Sequence, residues 1–177
     1  DDTNIDYPVL QGADNVLYVN ADVYGEYSLS GSIFLDYRCA GDFSDAYSLL
    51  YGHHMDGGAM FGDLANFLDG TYFEAHKTGT LYLADKTYAI ELFACMAVDA
   101  YDGKVFHPGA LSETETAELL DYIEAKATQY RDIGVTQDDR IIGLSTCSSA
   151  ATNGRTVVYG RLIQKDFTQQ GGENETL

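Results

Sequence analysis

Residues 140–163 read RIIGLSTCSSAATNGRTVVYGRLI. Arg140 to Thr146 is an apolar run that ends in small hydroxyl residues, and Arg155 to Ile163 is rich in β-branched residues. Both have the composition of β-strands. Only a short loop, Ser148 to Gly154, separates them. Two strands joined in this way return antiparallel, so residue 155 comes back beside residue 147. The stretch therefore predicts a strand pair with a guanidinium, Arg155, beside a thiol, Cys147.

Working outward, the same strand signals recur along the chain. Tyr7–Leu10 and Val16–Val19 read as short extended pieces, since Pro8 biases Tyr7 away from helix. Ile33, Leu35 and Tyr37 alternate on one face of a strand over 32–37, and Tyr47–Gly52 forms another that ends at His53-His54. Tyr72–Glu74, Gly79–Leu83 and Lys86–Val98 read as further strands, with Ala84-Asp85 as a hairpin tip. Two segments carry helical spacing instead. Met60, Phe61, Leu64, Phe67 and Leu68 share one face of a short helix that Asp69-Gly70 stops. Ser112-Glu113-Thr114-Glu115 is a capping box, and Leu119, Leu120, Ile123, Ala127 and Tyr130 repeat behind it, predicting a longer helix over about 112–131. The layout is one mostly-β domain over 1–168 and a polar tail over 169–177. A closed eight-stranded β-barrel with one long helix and one or two short ones manages that many strand edges.

Composition narrows the function. The 177 residues carry 10 basic and 28 acidic side chains, a net charge of −18. Such a surface repels phosphate backbones, so no nucleic acid is expected as a partner. The chain is 45% hydrophobic, enough for a packed core. No apolar run is long enough to span a membrane. Its three cysteines, Cys39, Cys95 and Cys147, are widely spaced and form no C-x-x-C pair, which argues against a zinc ribbon or a thioredoxin-type site. No metal or other cofactor is expected.

Cys39 and Cys95 sit in alternating apolar strands and suit the usual fate of a free cysteine, a small buried hydrophobe. Cys147 lies among Ser145, Thr146, Ser148 and Ser149, which does not suit that fate. A nucleophilic thiolate needs a nearby cation or base, and cations are scarce in this chain. Arg155 is supplied by the strand pair. Of the histidines, His53 and His54 end a strand, where consecutive side chains diverge, so only one of them can face Cys147. His76 and His107 read as surface residues.

The ordered set of motifs resembles the sortase family. It comprises Tyr51-Gly52-His53-His54-Met55, Met60-Phe61-Gly62-Asp63-Leu64, Leu144-Ser145-Thr146-Cys147 and Arg155-Thr156-Val157-Val158, with Ile5–Gly12 and Gly31–Asp36 upstream. The capped helix before the strand ending at Cys147 resembles class B sortases in particular. The resemblance runs from about residue 5 to 164. It implies a barrel-shaped cysteine transpeptidase at the extracellular face of a Gram-positive membrane, held by an N-terminal anchor that would precede Asp1. It also implies a sorting-signal peptide of secreted proteins as substrate and an amine, from a cell-wall precursor or a pilin lysine, as acceptor. Residue by residue, the catalytic histidine falls on His53, the nucleophile on Cys147 and the arginine on Arg155. Tyr51, Ser145 and Thr146 fall at positions flanking the substrate groove. Ser148 stands where the family pattern has an acidic residue. The domain is expected to be a monomer.

Three rival readings share some of these residues. A hydrolytic cysteine protease would use the same Cys–His pair and end with water, but the papain-like signature is absent and His precedes Cys. A non-catalytic extracellular binding domain would leave Cys147 unreactive. A zinc site on His53, His54 and Cys147 would require adjacent strand histidines to converge.

Overall fold

The computed structural model describes residues 1–147 and 153–165, with the side chain of Cys147 outside the described set. The strands are β1 Val9–Gln11, β2 Ile33–Leu35, β3 Tyr47–Tyr51, β4 Thr78–Tyr82, β5 Thr87–Asp99, β6 Gln129–Tyr130, β7 Arg140–Cys147 and β8 Gly154–Lys165. They form one eight-stranded sheet in the order β1-β2-β3-β7-β8-β5-β4, with β6 on the remaining edge of β5. The β1/β2 and β3/β7 pairs are parallel and the others antiparallel. Two α-helices, α1 Gly70–Ala75 and α2 Glu113–Lys126, accompany 3-10 segments at Leu17–Val19, Asp56–Gly58 and Gly62–Leu68.

The mostly-β expectation holds, but the expected closed barrel does not follow from the hydrogen bonding. The sheet path ends at β1 and β4, and no ladder joins them among the described residues. β1 is only three residues long. At the β4 edge the Asp1 nitrogen donates to the Thr78 carbonyl at 2.7 Å and the Thr78 hydroxyl donates to the Asp1 carboxylate at 2.6 Å, contacts of one residue pair rather than a ladder.

Both faces of the central strands are buried. On β3 and β7, Leu50 and Ile142 join one core with Phe61, Leu64, Phe67 and Phe73 from residues 61–75. Their neighbours Leu49 and Ile141 join a second core with Phe93, Val157 and Tyr159, closed by Leu119 and Ile123 of α2. This explains why the strands read as nearly continuous apolar runs rather than as alternation.

Cys39 lies in the bend after β2 rather than in a strand, and three further local readings differ from the structure, each for an identifiable reason. Residues 72–74 lie in α1, not in a strand: the Asp69 carboxylate accepts the backbone N–H groups of Thr71 and Tyr72, both at 3.0 Å. Asp69 thus ends the 3-10 segment and caps the next helix. Val16–Val19 is not extended. Asp14 Oδ1 accepts from the N–H groups of Val16 and Leu17 at 2.9 and 3.1 Å, which curls the chain into the 3-10 turn. Finally, α2 begins at the predicted capping box, with Ser112 N–H donating to Glu115 at 2.8 Å, but stops at Lys126. β4 pairs with β5 only as far as Glu91, so Ala94 and Cys95 present an open edge, and residues 129–130 fill it as β6. The 169–177 tail lies outside the described residues, as does Ser148.

Candidate active site

The site is assembled where β3 and β7 end and β8 begins. In the antiparallel β7/β8 pair, Cys147 is the register partner of Arg155, with Thr146 opposite Thr156 and Ser145 opposite Val157. The return of residue 155 beside residue 147 is therefore present. In the parallel β3/β7 pair Tyr51 lies beside Ser145, and the N–H of Gly52 extends the ladder to the Ser145 carbonyl at 3.1 Å. Gly52 has no room for a side chain, because a Cβ there would lie 2.8 Å from the Phe61 ring. This close approach lets the chain turn off β3 and deliver His53 beside the end of β7.

A cavity of about 350 Å³ opens at this point. His53, Arg155, Tyr51, Ser145 and Thr146 all line it, so the structure gathers every predicted site residue whose side chain it describes. The side chain of Cys147 lies outside the described set, and its place in the site rests on the backbone register. His54 does not line the cavity. It bridges to Met60 through the backbone, and its Nδ1 is buried without a partner among the described residues. The adjacent histidines thus diverge as expected. His76 Nδ1 donates to the Tyr72 carbonyl at 2.8 Å, and its ring stacks on that of Tyr72.

The polar groups of the cavity are set up differently from one another. His53 Nε2 is 2.6 Å from the Val19 carbonyl oxygen. A carbonyl can only accept, so Nε2 carries the proton and Nδ1 is the nitrogen left to exchange one. Arg155 donates through Nη1 to the Gly154 carbonyl at 2.9 Å and forms no ion pair among the described residues. Arg38, Arg131 and Arg161, by contrast, all meet carboxylates. The hydroxyls of Ser145 and Thr146 are buried and have no hydrogen-bond partner among the described residues. Buried donors of this kind are costly unless a ligand satisfies them.

The sequence reading missed several wall residues: Asn15 and Val19 from the loop between β1 and β2, Phe34 of β2, Arg38, and Phe106. Behind them stands Asp36, fully buried. Burial opposes its ionisation, but hydrogen bonds from Arg38, Asn15 and Tyr51 outweigh that cost and hold the carboxyl below its ordinary range. Tyr51 is shifted the other way, its phenol pushed up by burial and by the Asp36 charge. The acidic residue directly after an apolar strand, with Arg38 two positions on, was the available signal. The other thiols are remote in character: Cys39 and Cys95 are free and buried, and burial pushes them up to about 11 and about 12.

Comparison with known proteins identifies the family. The sortase domain family model matches residues 1–163. Sortase B of Listeria monocytogenes is 35% identical over 168 residues, covering 93% of this chain and 67% of that protein. The crystal structure of a Streptococcus pyogenes class B sortase involved in pilus biogenesis superposes with a TM-score of 0.83 at 44% identity, over 92% of this chain and 87% of the other. Sortase B from the type II pilus of Streptococcus pneumoniae gives 0.78 at 38% identity, over 91% and 87%. A match across nearly the whole chain, with class B members by both sequence and structure, means that this chain belongs to the sortase family, in its class B, and is a cysteine transpeptidase.

Proposed function

We propose that Cys147 is the nucleophile, His53 the acid–base group and Arg155 the oxyanion donor of this transpeptidase. The Cys147 thiolate attacks the scissile carbonyl of a sorting-signal peptide and forms a tetrahedral oxyanion. Arg155, with guanidinium donors not committed to a carboxylate among the described residues, stabilises that charge. The C–N bond breaks, His53 as imidazolium protonates the leaving amine, and a thioester remains on Cys147. An incoming amine then gives its proton to His53 and attacks the thioester, releasing the thiolate and forming a new amide. The Val19 carbonyl keeps the Nε2 proton in place, so Nδ1 handles both transfers. Tyr51, Ser145 and Thr146 bind the peptide as parts of the cavity wall.

The observation that carries this reading is the register of Cys147 opposite Arg155 at the mouth of a cavity that also holds His53. The acceptor is an amine of a cell-wall precursor or a pilin lysine, and the pilus sortases among the similar structures support the lysine. The enzyme works as a monomer at the outer face of a Gram-positive membrane, held by an N-terminal anchor. Among the described residues no helix is long and apolar enough to cross a membrane. The test is incubation with a library of sorting-signal peptides, with and without candidate amines, followed by mass analysis. A thioester on Cys147 resolved by the amine is expected. A product resolved only by water, at equal rate with or without amine, would favour a hydrolase.

A further inference from the structure

Among the described residues no carboxylate lines the cavity, yet one carboxylate fixes much of its wall. Asp36 Oδ2 accepts from Asn15 Nδ2 at 2.8 Å, from the Tyr51 hydroxyl at 2.9 Å and from Arg38 Nη2 at 2.8 Å. Its Oδ1 accepts from Arg38 Nε at 2.9 Å and from the Arg38 backbone N–H at 3.0 Å. Asn15, Arg38 and Tyr51 all line the cavity, and each comes from a different segment: the β1–β2 loop, the turn after β2 and the end of β3. Asp36 is itself anchored, its N–H donating to the Leu49 carbonyl at 2.9 Å. The held groups are tied at their other ends as well. Asn15 Oδ1 accepts the Tyr37 N–H at 3.0 Å, and Arg38 Nη2 also donates to the Phe106 carbonyl at 3.1 Å. A buried ion pair is a poor device for stability alone, but an acceptor shared by three donors fixes three rotamers at once.

We infer that Asp36 is a positioning residue of the transpeptidase site: one buried carboxylate sets the directions in which Asn15, Arg38 and Tyr51 meet the sorting-signal peptide. It touches no reacting atom and acts only through those three. This rests on the cavity being the peptide site. Loss of Asp36 therefore weakens peptide binding and leaves thiol chemistry at Cys147 alone.

Asp36→Asn tests it, because the amide places an N–H group where donors converge. The probe is the library peptide that acylates the wild type fastest. Expected is a rise in KM of about tenfold with kcat within about threefold, and an unchanged pH profile for alkylation of Cys147 by iodoacetamide. The same alkylation reports folding, since an unfolded variant exposes Cys39 and Cys95 too. An unchanged KM in a folded variant overturns the inference, as does a shifted Cys147 pH profile, which would place Asp36 in the proton-transfer machinery. Should Asp36→Asn fail to fold, Tyr51→Phe and Asn15→Ala each remove one donor. Each is expected to raise KM about threefold, and the double variant by less than the product, because both act through one oxygen. A full product, or no change, overturns the inference. If no peptide acylates the wild type, the site assignment falls and this inference with it; normal acylation with indifferent variants removes this inference alone.

Discussion

Cys147 and Arg155 are register partners across the β7/β8 pair, eight positions apart in the chain and opposite each other in the sheet. The pairing fixes the backbone of Arg155, and its guanidinium is held through Nη1 by the Gly154 carbonyl at 2.9 Å. Arg155→Ala is expected to lower kcat/KM for thioester formation by about 10²–10³, the usual loss for one oxyanion donor. Arg155→Lys recovers only a small part, because an ammonium lacks the planar fork. Single-turnover acylation measures both; full activity in Arg155→Lys would mean that charge alone is needed.

His53 and His54 are neighbours in sequence, but only His53 lines the cavity. His53→Ala is expected to lose at least about 10²-fold in acylation, the range of general acid–base catalysis. His54→Ala is expected to stay within about threefold, by the same measure. Steady-state rates on the two variants decide it, and the reverse order would exchange the two roles.

The three thiols should separate in a native alkylation experiment. Burial holds Cys39 and Cys95 protonated up to about 11 and about 12, and neither is exposed. At pH 8 iodoacetamide is expected to label Cys147 alone, with the other two appearing only in denaturant. Peptide mapping reads the sites. Rapid labelling of Cys39 or Cys95 in the folded protein would contradict their burial.

The route from sequence to fold was legible where contacts are local. The 140–163 pair needs only a short loop and one antiparallel return, and Ser112 and Glu115 cap α2 within a single turn. It failed where a distant partner decides. Tyr130 has helical spacing behind the capping box, yet the open edge of β5 draws it into β6. Tyr72 has strand composition, yet Asp69 caps its backbone into α1. In the site, Arg155 beside Cys147 was found because an antiparallel return follows from pattern, whereas His53, Tyr51, Ser145 and Thr146 were reached only through the resemblance to sortases. Val19 and Asn15 were missed, because a loop residue that meets His53 across 34 positions leaves no periodic trace.

Asp36 gives the fold a defined acid sensitivity. Its carboxyl is held below the ordinary value in the folded protein, so the stability it contributes is fully present above the unfolded value of about 3.9. That contribution is lost as the pH falls through the lower folded value. In urea unfolding, the gap between wild type and Asp36→Asn is expected to stay constant from about pH 7 to 5 and to close below about pH 4. A gap that persists unchanged to about pH 3 would contradict a depressed carboxyl.

The transpeptidase site is tested most directly by intact-mass analysis of wild type and Cys147→Ala after incubation with the peptide library. The wild type should gain one acyl mass, mapped to Cys147, and lose it to an added amine with formation of the peptide–amine product. Cys147→Ala should remain folded and gain nothing. An acyl adduct on Cys147→Ala, or one mapped to another residue in the wild type, would contradict the assignment of Cys147 as nucleophile.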